Sequence, residues 1–390
     1  MSNLENHSKQ KVRVAVLYGG RSSEHEVSLN SATNVILNLD RSRFDVVPIG
    51  IDRSGSWFLG EDILSKKIEG SGRLELQQAI ERMLFTPGLI GAQPVRHEAT
   101  DLVSPVKGGE RLFDVVFPVI HGPLCEDGTV QGLLELAEVP YVGCGVLASA
   151  VGMDKDVSKR LAMNAGLRVP HYLVVKRGQW NKNAKQFCDL VEAQLTYPVF
   201  VKPANTGSSV GVHKVKDSED LADKIENAFL YDTKVLVEQG IDAMELEVSV
   251  LESLDYGMDP IVSVVGEIKP QNGHEFYSYA SKYLDDNGAE LVIPAKIPAE
   301  VQEEIRAVAK TLFAALECEG MARVDLFLEK NTNRIYFNEI NTIPGFTKIS
   351  MYPKLLEASG IDYPQLLTHL IELAIDRHAR KTKISREYVD

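Results

Sequence analysis

Two acidic side chains and an arginine are expected to meet on one face of a hairpin in the last third of the chain. Strand-forming residues dominate 324–329 and 334–341, and the polar residues between them have the composition of a turn. A turn centred on Thr332 creates two cross-strand pairs, namely Asp325 with Glu339 and Arg323 with Asn341. Because alternate residues of a strand point to the same side, all four side chains would emerge together at the open end of the hairpin.

This acidic pair predicts a bound cation. Apolar residues are expected beside it (Phe327 and Phe337) and on the opposite face (Leu326, Leu328, Tyr336 and Ile340), so the hairpin should be buried on both sides. Buried like charges need a cation or a shared proton. Two carboxylates and an amide oxygen suit Mg²⁺ that is held together with substrate phosphates. The alternative is a surface hairpin whose acids lie in water.

A Gly-rich loop near the start of the chain could bind an anion. It connects a predicted strand at 12–17 to a predicted helix at 27–39, and a helix N-terminus offers free backbone N–H groups. Glu24 beside this loop could receive a substrate ammonium group. The alternative is an exposed acid that the helix dipole favours.

Lys202 precedes a second loop of small residues, at 204–211. Gly and Ser in such a loop can direct N–H and hydroxyl donors at phosphate oxygens, and Lys202 adds a point charge. The segment is not a Walker A loop, because its Lys precedes the glycines and a strand follows them. A plain hairpin turn is the alternative.

Two further segments are candidate site elements. His121 follows a buried strand at 112–120, and ligands bind at the carboxyl ends of such strands, although a lone His is more often a structural hydrogen bonder. The polar, aromatic loop at 270–290 has the length and composition of a lid.

The composition is that of a large globular protein. At 390 residues, with 25% charged and 44% hydrophobic residues, the chain should form two or three domains. A net charge of −13 argues against nucleic acid or anionic membranes as partners. The four cysteines lack metal or disulfide spacing, and neither a signal peptide nor a membrane span is visible, so a cytoplasmic location is expected.

Alternating strand and helix patterns predict an α/β fold with a domain boundary near Gly145. We predict helices at 74–84, 129–138, 155–165, 182–195, 221–229, 298–316 and 363–377. We predict further strands at 44–51, 172–175, 234–237, 245–251 and 261–268, and a strand, a small-residue loop and a second strand within 197–212.

The assembled motifs resemble those of the D-alanine-D-alanine ligase family of the ATP-grasp superfamily, from about residue 12 to 375. The resemblance is carried by GGRSSEHEVSLNSA at 19–32, HGPLCEDGTVQG at 121–132, MDK at 153–155, VKPANTGSSVGV at 201–212, VEQGID at 237–242, SKYL at 281–284, ARVD at 322–325 and NEINTIPGFT at 338–347. It implies a three-domain ATP-grasp fold whose N-terminal domain, 11–145, is an open parallel α/β unit. A central domain at 146–240 and a C-terminal domain at 241–390 would hold ATP between them.

The resemblance also implies a reaction. Two D-alanines are joined to D-alanyl-D-alanine for peptidoglycan synthesis, with ATP converted to ADP and phosphate through a D-alanyl phosphate. It implies two Mg²⁺ ions, for which Mn²⁺ could substitute, and a homodimer.

Residue roles follow from the matched motifs. The metal ligands would be Asp325, Glu339 and Asn341, and the ATP-binding residues Lys155, Lys202, Glu238, Gln239, Ile241 and Glu245. The residues at the reacting groups would be Glu24, Ser208, Tyr283, Arg323 and Ser350, with His121, Lys282 and Gly345 lining the substrate site. Within this set, Glu24 would bind the ammonium group of the first D-alanine, and Ser350 would bind the carboxylate of the second. Arg323 and the backbone N–H of Gly345 would stabilise the oxyanion of the tetrahedral intermediate.

Departures from the family pattern leave some assignments open. Cys125 stands where the family usually has Gly, and Ser278 and Ala280 replace acidic residues in the predicted lid. The rival functions are a D-alanine-D-lactate ligase, another ATP-grasp enzyme, and a nucleotide-binding protein without ligase activity. The pair of Lys282 and Tyr283 favours a dipeptide product, and the retained Arg323 and acidic pair favour catalysis.

Overall fold

The computed structural model describes residues 11–59, 112–271 and 288–388, together with the backbone of 81–84 and 95–96. Within these residues the predicted α/β class is confirmed, because the strands form three sheets and helices alternate with them along the chain. The predicted lid residues Ser278, Ala280, Lys282 and Tyr283 lie outside the described part. None of the described helices is both long and apolar enough to cross a membrane.

The N-terminal sheet is parallel at its centre. Strand β1 (Val12–Gly19) lies between β2 (Phe44–Ile51) and β6 (Val115–Pro118), and both pairings are parallel. Helices α1 (His25–Asn38) and α2 (Thr129–Leu136) follow the Gly-rich loop and the His121 loop. The predicted loops therefore stand at the carboxyl ends of neighbouring parallel strands, where open α/β sheets bind ligands.

Three short strands extend this sheet on the far side of β2. They are antiparallel and comprise β3 (Trp57–Leu59), β4 (Glu81–Leu84) and β5 (Val95–Arg96). The predicted helix at 74–84 is therefore wrong at its end, where residues 81 and 82 pair with Leu59 and Phe58. Pairing with a sheet edge overrides helical propensity there.

The central sheet is antiparallel, with the order β7, β10, β8, β9. Its strands are β7 (Tyr172–Lys176), β8 (Val199–Pro203), β9 (His213–Val215) and β10 (Lys234–Gln239). Helices α5 (Arg177–Gln194) and α6 (Leu221–Ala228) pack on one side and bury Trp180 and Ile225 against Val201. The other side carries Lys202 and Glu238, whose strands β8 and β10 pair antiparallel.

The C-terminal sheet contains the acidic hairpin. Its strands are β11 (Ala243–Leu251), β12 (Ile261–Val262), β13 (Gly266–Pro270), β14 (Ala289–Val292), β15 (Met321–Glu329) and β16 (Ile335–Asn341). The predicted amphipathic helix is α7 (Ala299–Ala315), which buries Ile305 and Leu312 against this sheet.

Four helices pack on a sheet that belongs to a different predicted domain from their own. α3 (Val146–Met153) and α4 (Lys155–Asn164) pack on the C-terminal sheet, where Ala148 and Ala162 join its core. α8 (Met351–Glu357) and α9 (Tyr363–Lys381) share a core with the N-terminal sheet. The division at 145 and 240 remains a prediction.

Candidate active site

At the open end of the acidic hairpin the residues pair as predicted. Asp325 pairs with Glu339, and Arg323 pairs with Asn341. Asp325 is buried, with 8% of its surface exposed, whereas the Glu339 side chain is 27% exposed. The two carboxylates therefore stand side by side on one face of the hairpin, and Glu339 is the more exposed of the two.

A β-bulge corrects the predicted faces of this hairpin. Leu326 pairs with Phe337 and not with Asn338, so one extra residue lies between the pairs of Asp325 and Leu326. Phe337 is consequently buried with Leu326 and Ile340, while Tyr336 lies opposite Phe327. The predictions that Phe337 shares the acidic face and that Tyr336 lies on the opposite face are both wrong, because the bulge shifts the alternation by one residue.

Arg323 is held by two carboxylates. Its Nε and Nη2 donate to Oδ1 and Oδ2 of Asp325 at 2.7 and 2.6 Å, and its Nε lies 3.1 Å from Oε2 of Glu247. Burial alone would lower the pKa of Arg323, but Asp325 and Glu247 more than offset this effect and raise it. The guanidinium is thus a fixed positive charge beside the acidic pair.

Lysines from outside the C-terminal sheet reach the hairpin. Lys155 at the start of α4 donates to the carbonyl oxygen of Thr206 at 2.6 Å, and its Nζ lies 3.3 Å from Oε2 of Glu339. Lys202 donates to Oε1 of Glu238 at 2.6 Å and to Oδ1 of Asn338 at 3.2 Å. Two of the predicted phosphate-binding lysines therefore converge on the β16 strand.

A third lysine at this junction escaped the sequence analysis. Lys159 has no exposed surface, and its Nζ lies 2.8 Å from Oε2 of Glu238. Burial would raise the pKa of Glu238, but the charges of Lys159 and Lys202 together lower it. A sequence signal existed, because Lys159 lies four residues after Lys155 and hence on the same face of a helix.

The remaining residues that were predicted to bind ATP do not share one face of the sheets. Gln239 follows Glu238 on β10, so its side chain points to the other face, where its Oε1 accepts from the N–H of Thr196 at 3.3 Å. Glu245 on β11 lies opposite Phe327, two residues from Glu247 on the acidic face. Ile241 is half-buried in the connection between β10 and β11.

The N-terminal loop meets the loop that follows β8. Ser208 donates a hydrogen bond to Oε1 of Glu24, which is 7% exposed. Ser208 adopts φ +50, and a Cβ on the neighbouring Gly207 would lie 2.9 Å from Oε2 of Glu24. Gly207 thus leaves room for the close approach of the two loops, which brings the predicted ammonium acceptor to the predicted phosphate loop.

His121 lies beside Glu24 in a buried polar cluster. Its Nδ1 lies 3.1 Å from the carbonyl oxygen of Ile343 and 3.4 Å from Oε1 of Glu126, and its Nε2 lies 3.4 Å from Oγ of Ser31. Burial disfavours the imidazolium, but Glu126 and Glu24 more than offset this and raise the pKa of His121. Glu126 was not singled out from the sequence.

Gly345 and Ser350 form one turn at the start of α8. The N–H of Thr347 donates to Oγ of Ser350 at 3.0 Å, and a Cβ on Gly345 would lie 2.8 Å from that oxygen. A side chain at residue 345 would therefore displace the Ser350 hydroxyl from this turn. The turn is linked to the N-terminal domain, because the N–H of Phe346 donates to Oγ of Ser31 at 3.2 Å.

Cys125, the departure from the family pattern, fills space in the N-terminal core. It is 4% exposed, and its Sγ would lie 3.5 Å from a Cβ on Gly20. Burial, with added repulsion from Glu126, raises the pKa of the thiol. Cys125 therefore packs as a neutral side chain under the Gly-rich loop.

The donor set for a metal is small. Among the residues that the structure describes, no group of three or more His, Cys, Asp and Glu side chains is arranged to hold one. Asp325 and Glu339 offer two adjacent carboxylates, and Oδ1 of Asn341 accepts from the N–H of Ile343 at 3.1 Å, which orients the amide. These oxygen donors fit Mg²⁺ when phosphate oxygens and water complete its shell.

Comparison with known protein families covers most of the chain. Residues 13–144 match the family model "D-ala D-ala ligase N-terminus", and residues 161–372 match "D-ala D-ala ligase C-terminus". D-alanine–D-alanine ligase A of Bradyrhizobium diazoefficiens is 50% identical over 378 residues, which are 97% of this chain and 99% of the relative. D-alanine–D-alanine ligase of Caldicellulosiruptor bescii is also 50% identical over 378 residues, 96% and 98% of the two chains.

Solved structures agree in fold. The D-Ala:D-Ser ligase VanG from Enterococcus faecalis matches with TM-score 0.77 and 38% identity, over 94% of this chain and 100% of that one. The D-alanine-D-alanine ligase from Coxiella burnetii matches with TM-score 0.77 and 34% identity, over 96% of each chain. The predicted ATP-grasp fold is confirmed by these neighbours, and the chain belongs to the D-alanine-D-alanine ligase family.

Proposed function

We propose that this protein joins two D-alanines into D-alanyl-D-alanine, with ATP converted to ADP and phosphate, and thereby supplies the dipeptide for peptidoglycan. The observation that carries the proposal is the meeting of three parts of the chain. Lys155 and Lys202 lie against the acidic hairpin, and Glu24 from the N-terminal loop contacts Ser208 beside them. Such a site can hold a nucleotide phosphate next to an amino acid.

The charges support a two-step reaction. In the first step the carboxylate of one D-alanine attacks the γ-phosphorus of ATP, and ADP leaves to give D-alanyl phosphate. In the second step the neutral amine of the other D-alanine attacks the acyl carbon, and phosphate leaves with the C–O bond electrons and takes up the proton that the nitrogen loses. Arg323 and the N–H of Gly345 are proposed to stabilise the oxyanion between these events, since a fixed positive charge gains strength in a buried site.

Substrate positions follow from the same residues. Glu24 is proposed to bind the ammonium of the first D-alanine, with His121 lining that subsite, and Ser350 to bind the carboxylate of the second. Ser208, which donates to Glu24, would orient the second amine together with Tyr283. Lys282 is assigned to the transferring phosphoryl group on sequence alone.

The nucleotide is proposed to lie between the central and C-terminal sheets. Lys155 and Lys202 would bind its phosphates, because both ammonium groups lie within reach of β16. Glu238, Gln239 and the backbone near Ile241 are assigned to the adenine side, and Glu245 to the ribose hydroxyls. The connection from β10 to β11, which crosses between the two sheets, would thus form the purine slot.

Two Mg²⁺ ions, or Mn²⁺ in their place, are proposed to bind at Asp325, Glu339 and Asn341. When bound they would neutralise phosphate charge during phosphoryl transfer.

The Asp325→Asn variant should turn over at least about 100-fold more slowly, which is the loss expected when a group that orients the reacting atoms is removed. Folding should survive, because Arg323 keeps its contact with Glu247.

The assay for Asp325→Asn is the rate of ADP release, compared with the melting temperature of the same preparation. Glu329→Gln, near the turn end of the same strand, is the matched control. An Asp325→Asn protein without a cooperative melting transition would instead assign the acidic pair a structural role.

The second substrate distinguishes the proposal from its rivals. A D-alanine-D-serine ligase is a second candidate, because a solved D-Ala:D-Ser ligase shares 38% identity with this chain. Purified protein should be incubated with ATP, Mg²⁺ and D-alanine, alone or with D-serine or D-lactate, and products identified by mass. The proposal expects D-alanyl-D-alanine as the main product; ADP release that does not depend on D-alanine would contradict it.

A homodimer and a cytoplasmic location complete the proposal. Both are proposed because the chain belongs to this family. A cytoplasmic location also fits the proposed reaction, which uses a free amino acid and ATP. Light scattering of the purified protein would measure the mass of the assembly against the 43.1 kDa of one chain.

A further inference from the structure

Lys159 is a buried charge that the reaction above does not use. It lies on α4, has no exposed surface, and its Nζ lies 2.8 Å from Oε2 of Glu238. The same Nζ donates to the backbone carbonyl oxygens of Phe337 at 3.3 Å and Asn338 at 2.9 Å. An ammonium group is buried at high cost unless it is paired, so these acceptors and the lysine depend on one another.

The partners of Lys159 are also the supports of the phosphate site. Glu238 presents its other oxygen to Lys202 at 2.6 Å, and Asn338 presents its side-chain oxygen to Lys202 at 3.2 Å. Glu339, the next residue of β16, lies 3.3 Å from Lys155. Lys159 therefore contacts both the Glu238 carboxylate and the bulge at Asn338. These two groups in turn position Lys202 and the neighbouring Glu339.

We propose that Lys159 is a positioning residue for the nucleotide. It holds the Glu238 carboxylate and the β16 bulge at Asn338, so that Lys202 and Glu339 remain in place for the phosphates. This role rests on the proposed function, since it requires a nucleotide at the junction. Lys159 itself does not reach the reacting atoms, because it lies behind these residues with no exposed surface.

The charge of Lys159 makes the arrangement sensitive to alkaline pH. Burial lowers the pKa of Lys159 to about 8, with Lys202 acting in the same direction and Glu238 and Glu339 opposing it. Above that pH the neutral amine no longer attracts the Glu238 carboxylate. Nucleotide affinity is therefore expected to fall as pH rises through about 8.

The test compares Lys159→Met with Arg160→Met, which also removes one positive charge from α4 but at an exposed position. Binding of ADP with Mg²⁺ is measured by calorimetry at pH 7, below the melting temperature of each variant. Lys159→Met should raise the dissociation constant about 10- to 100-fold, the usual range for a group that orients direct ligands. The KM for D-alanine should stay unchanged, and Arg160→Met should match the wild type.

A second measurement covers the case in which Lys159→Met does not fold. Wild-type ADP affinity is measured at pH 7.5 and 9, where the proposal expects a clear loss at the higher pH. Unchanged affinity in folded Lys159→Met, or no alkaline loss when only the wild type can be measured, would overturn the role. A wild type that binds ADP but makes no dipeptide would contradict the proposed function instead.

Discussion

At the scale of single residues, the site is built from charges that share partners. Asp325 is both a proposed metal ligand and the bidentate partner of Arg323, while Glu247 gives Arg323 a second contact. A metal that binds Asp325 would therefore weaken one hold on Arg323 and leave the other. The contact with Glu247 would keep the guanidinium from becoming an uncompensated buried charge when Asp325 binds a metal.

The pair of His121 and Glu126 predicts a pH-dependent stability. Because the pKa of His121 is raised above its usual 6.5, the imidazolium stabilises the fold fully below pH 6.5 and ceases to do so as pH rises through the folded value. Glu126→Gln removes the charge that holds this proton. The free energy of unfolding should fall more for this variant at pH 6 than at pH 9.

Urea unfolding of wild type and Glu126→Gln at the two pH values measures this difference. His121→Asn is the matched background, in which Glu126→Gln should lose equal stability at both pH values. A wild-type advantage that is independent of pH would show that Glu126 stabilises the loop without regard to the charge of His121.

At the scale of elements, the bulge in β16 creates contacts in addition to interrupting the regular pairing of β15 and β16. It separates the buried Phe337 from Glu339 and exposes Asn338 to two lysines, through its backbone oxygen and its side chain. β16 is the edge strand of its sheet, so its outward backbone oxygens are open to partners from other elements, and the bulge adds one residue at this point. The extra residue is thus the link between the hairpin and the central sheet.

Deletion of Asn338 tests the bulge directly. The remaining pairs would become consecutive, with Phe337 opposite Leu326 and Glu339 opposite Asp325, so the hairpin should still form. Both lysine contacts would be lost and the strand would twist less. We expect kcat/KM for ATP to fall about 100-fold, the effect of a small misplacement of reacting groups.

Steady-state kinetics and the melting temperature of the deletion variant would be compared with those of Asn331→Ala, a change at the exposed turn of the same hairpin. Near wild-type kcat/KM in the deletion variant would show that the bulge is dispensable. A protein that no longer melts cooperatively would place its role in folding.

At the scale of the whole molecule, most elements and the pairs at the open end of the hairpin could be predicted from the sequence. Periodicity located α7 and α4 to within a residue or two. A turn centred on Thr332 gave the correct pairing of Asp325 with Glu339, although the bulge offsets the pairs next to the turn from that centre. The bulge could not be predicted, because Tyr336 and Phe337 are adjacent aromatics and alternation fits either one inside. The buried Lys159 was missed for a different reason: its spacing from Lys155 places both on one helix face, but a lysine is ordinarily exposed, and only tertiary packing shows that this one is buried.

Long-range packing also decides how the N-terminal unit is attached. Arg377 on α9 is 6% exposed and donates to the carbonyl oxygens of Gly143 at 2.5 Å and Tyr141 at 2.7 Å. Its Nη1 lies 3.3 Å from Oε2 of Glu319, and its guanidinium stacks 4.6 Å from the Tyr141 ring centre. One side chain therefore ties the last helix to the segment that leaves the N-terminal sheet and to the C-terminal sheet.

Arg377→Met should consequently loosen the molecule without changing its chemistry. The variant leaves two buried carbonyl oxygens without their donor and removes the charge that faces Glu319, so we expect a loss of about 3 kcal/mol in the free energy of unfolding. Arg386→Met is the control, since its ion pair with Glu138 is exposed and such pairs contribute at most about 1 kcal/mol. Urea unfolding measures both losses, and KM values for ATP and D-alanine, taken where each variant is folded, should equal those of the wild type. A changed KM in Arg377→Met would mean that the attachment of the N-terminal unit sets the geometry of the site; equal stability of the two variants would mean that α9 is held by its apolar face alone.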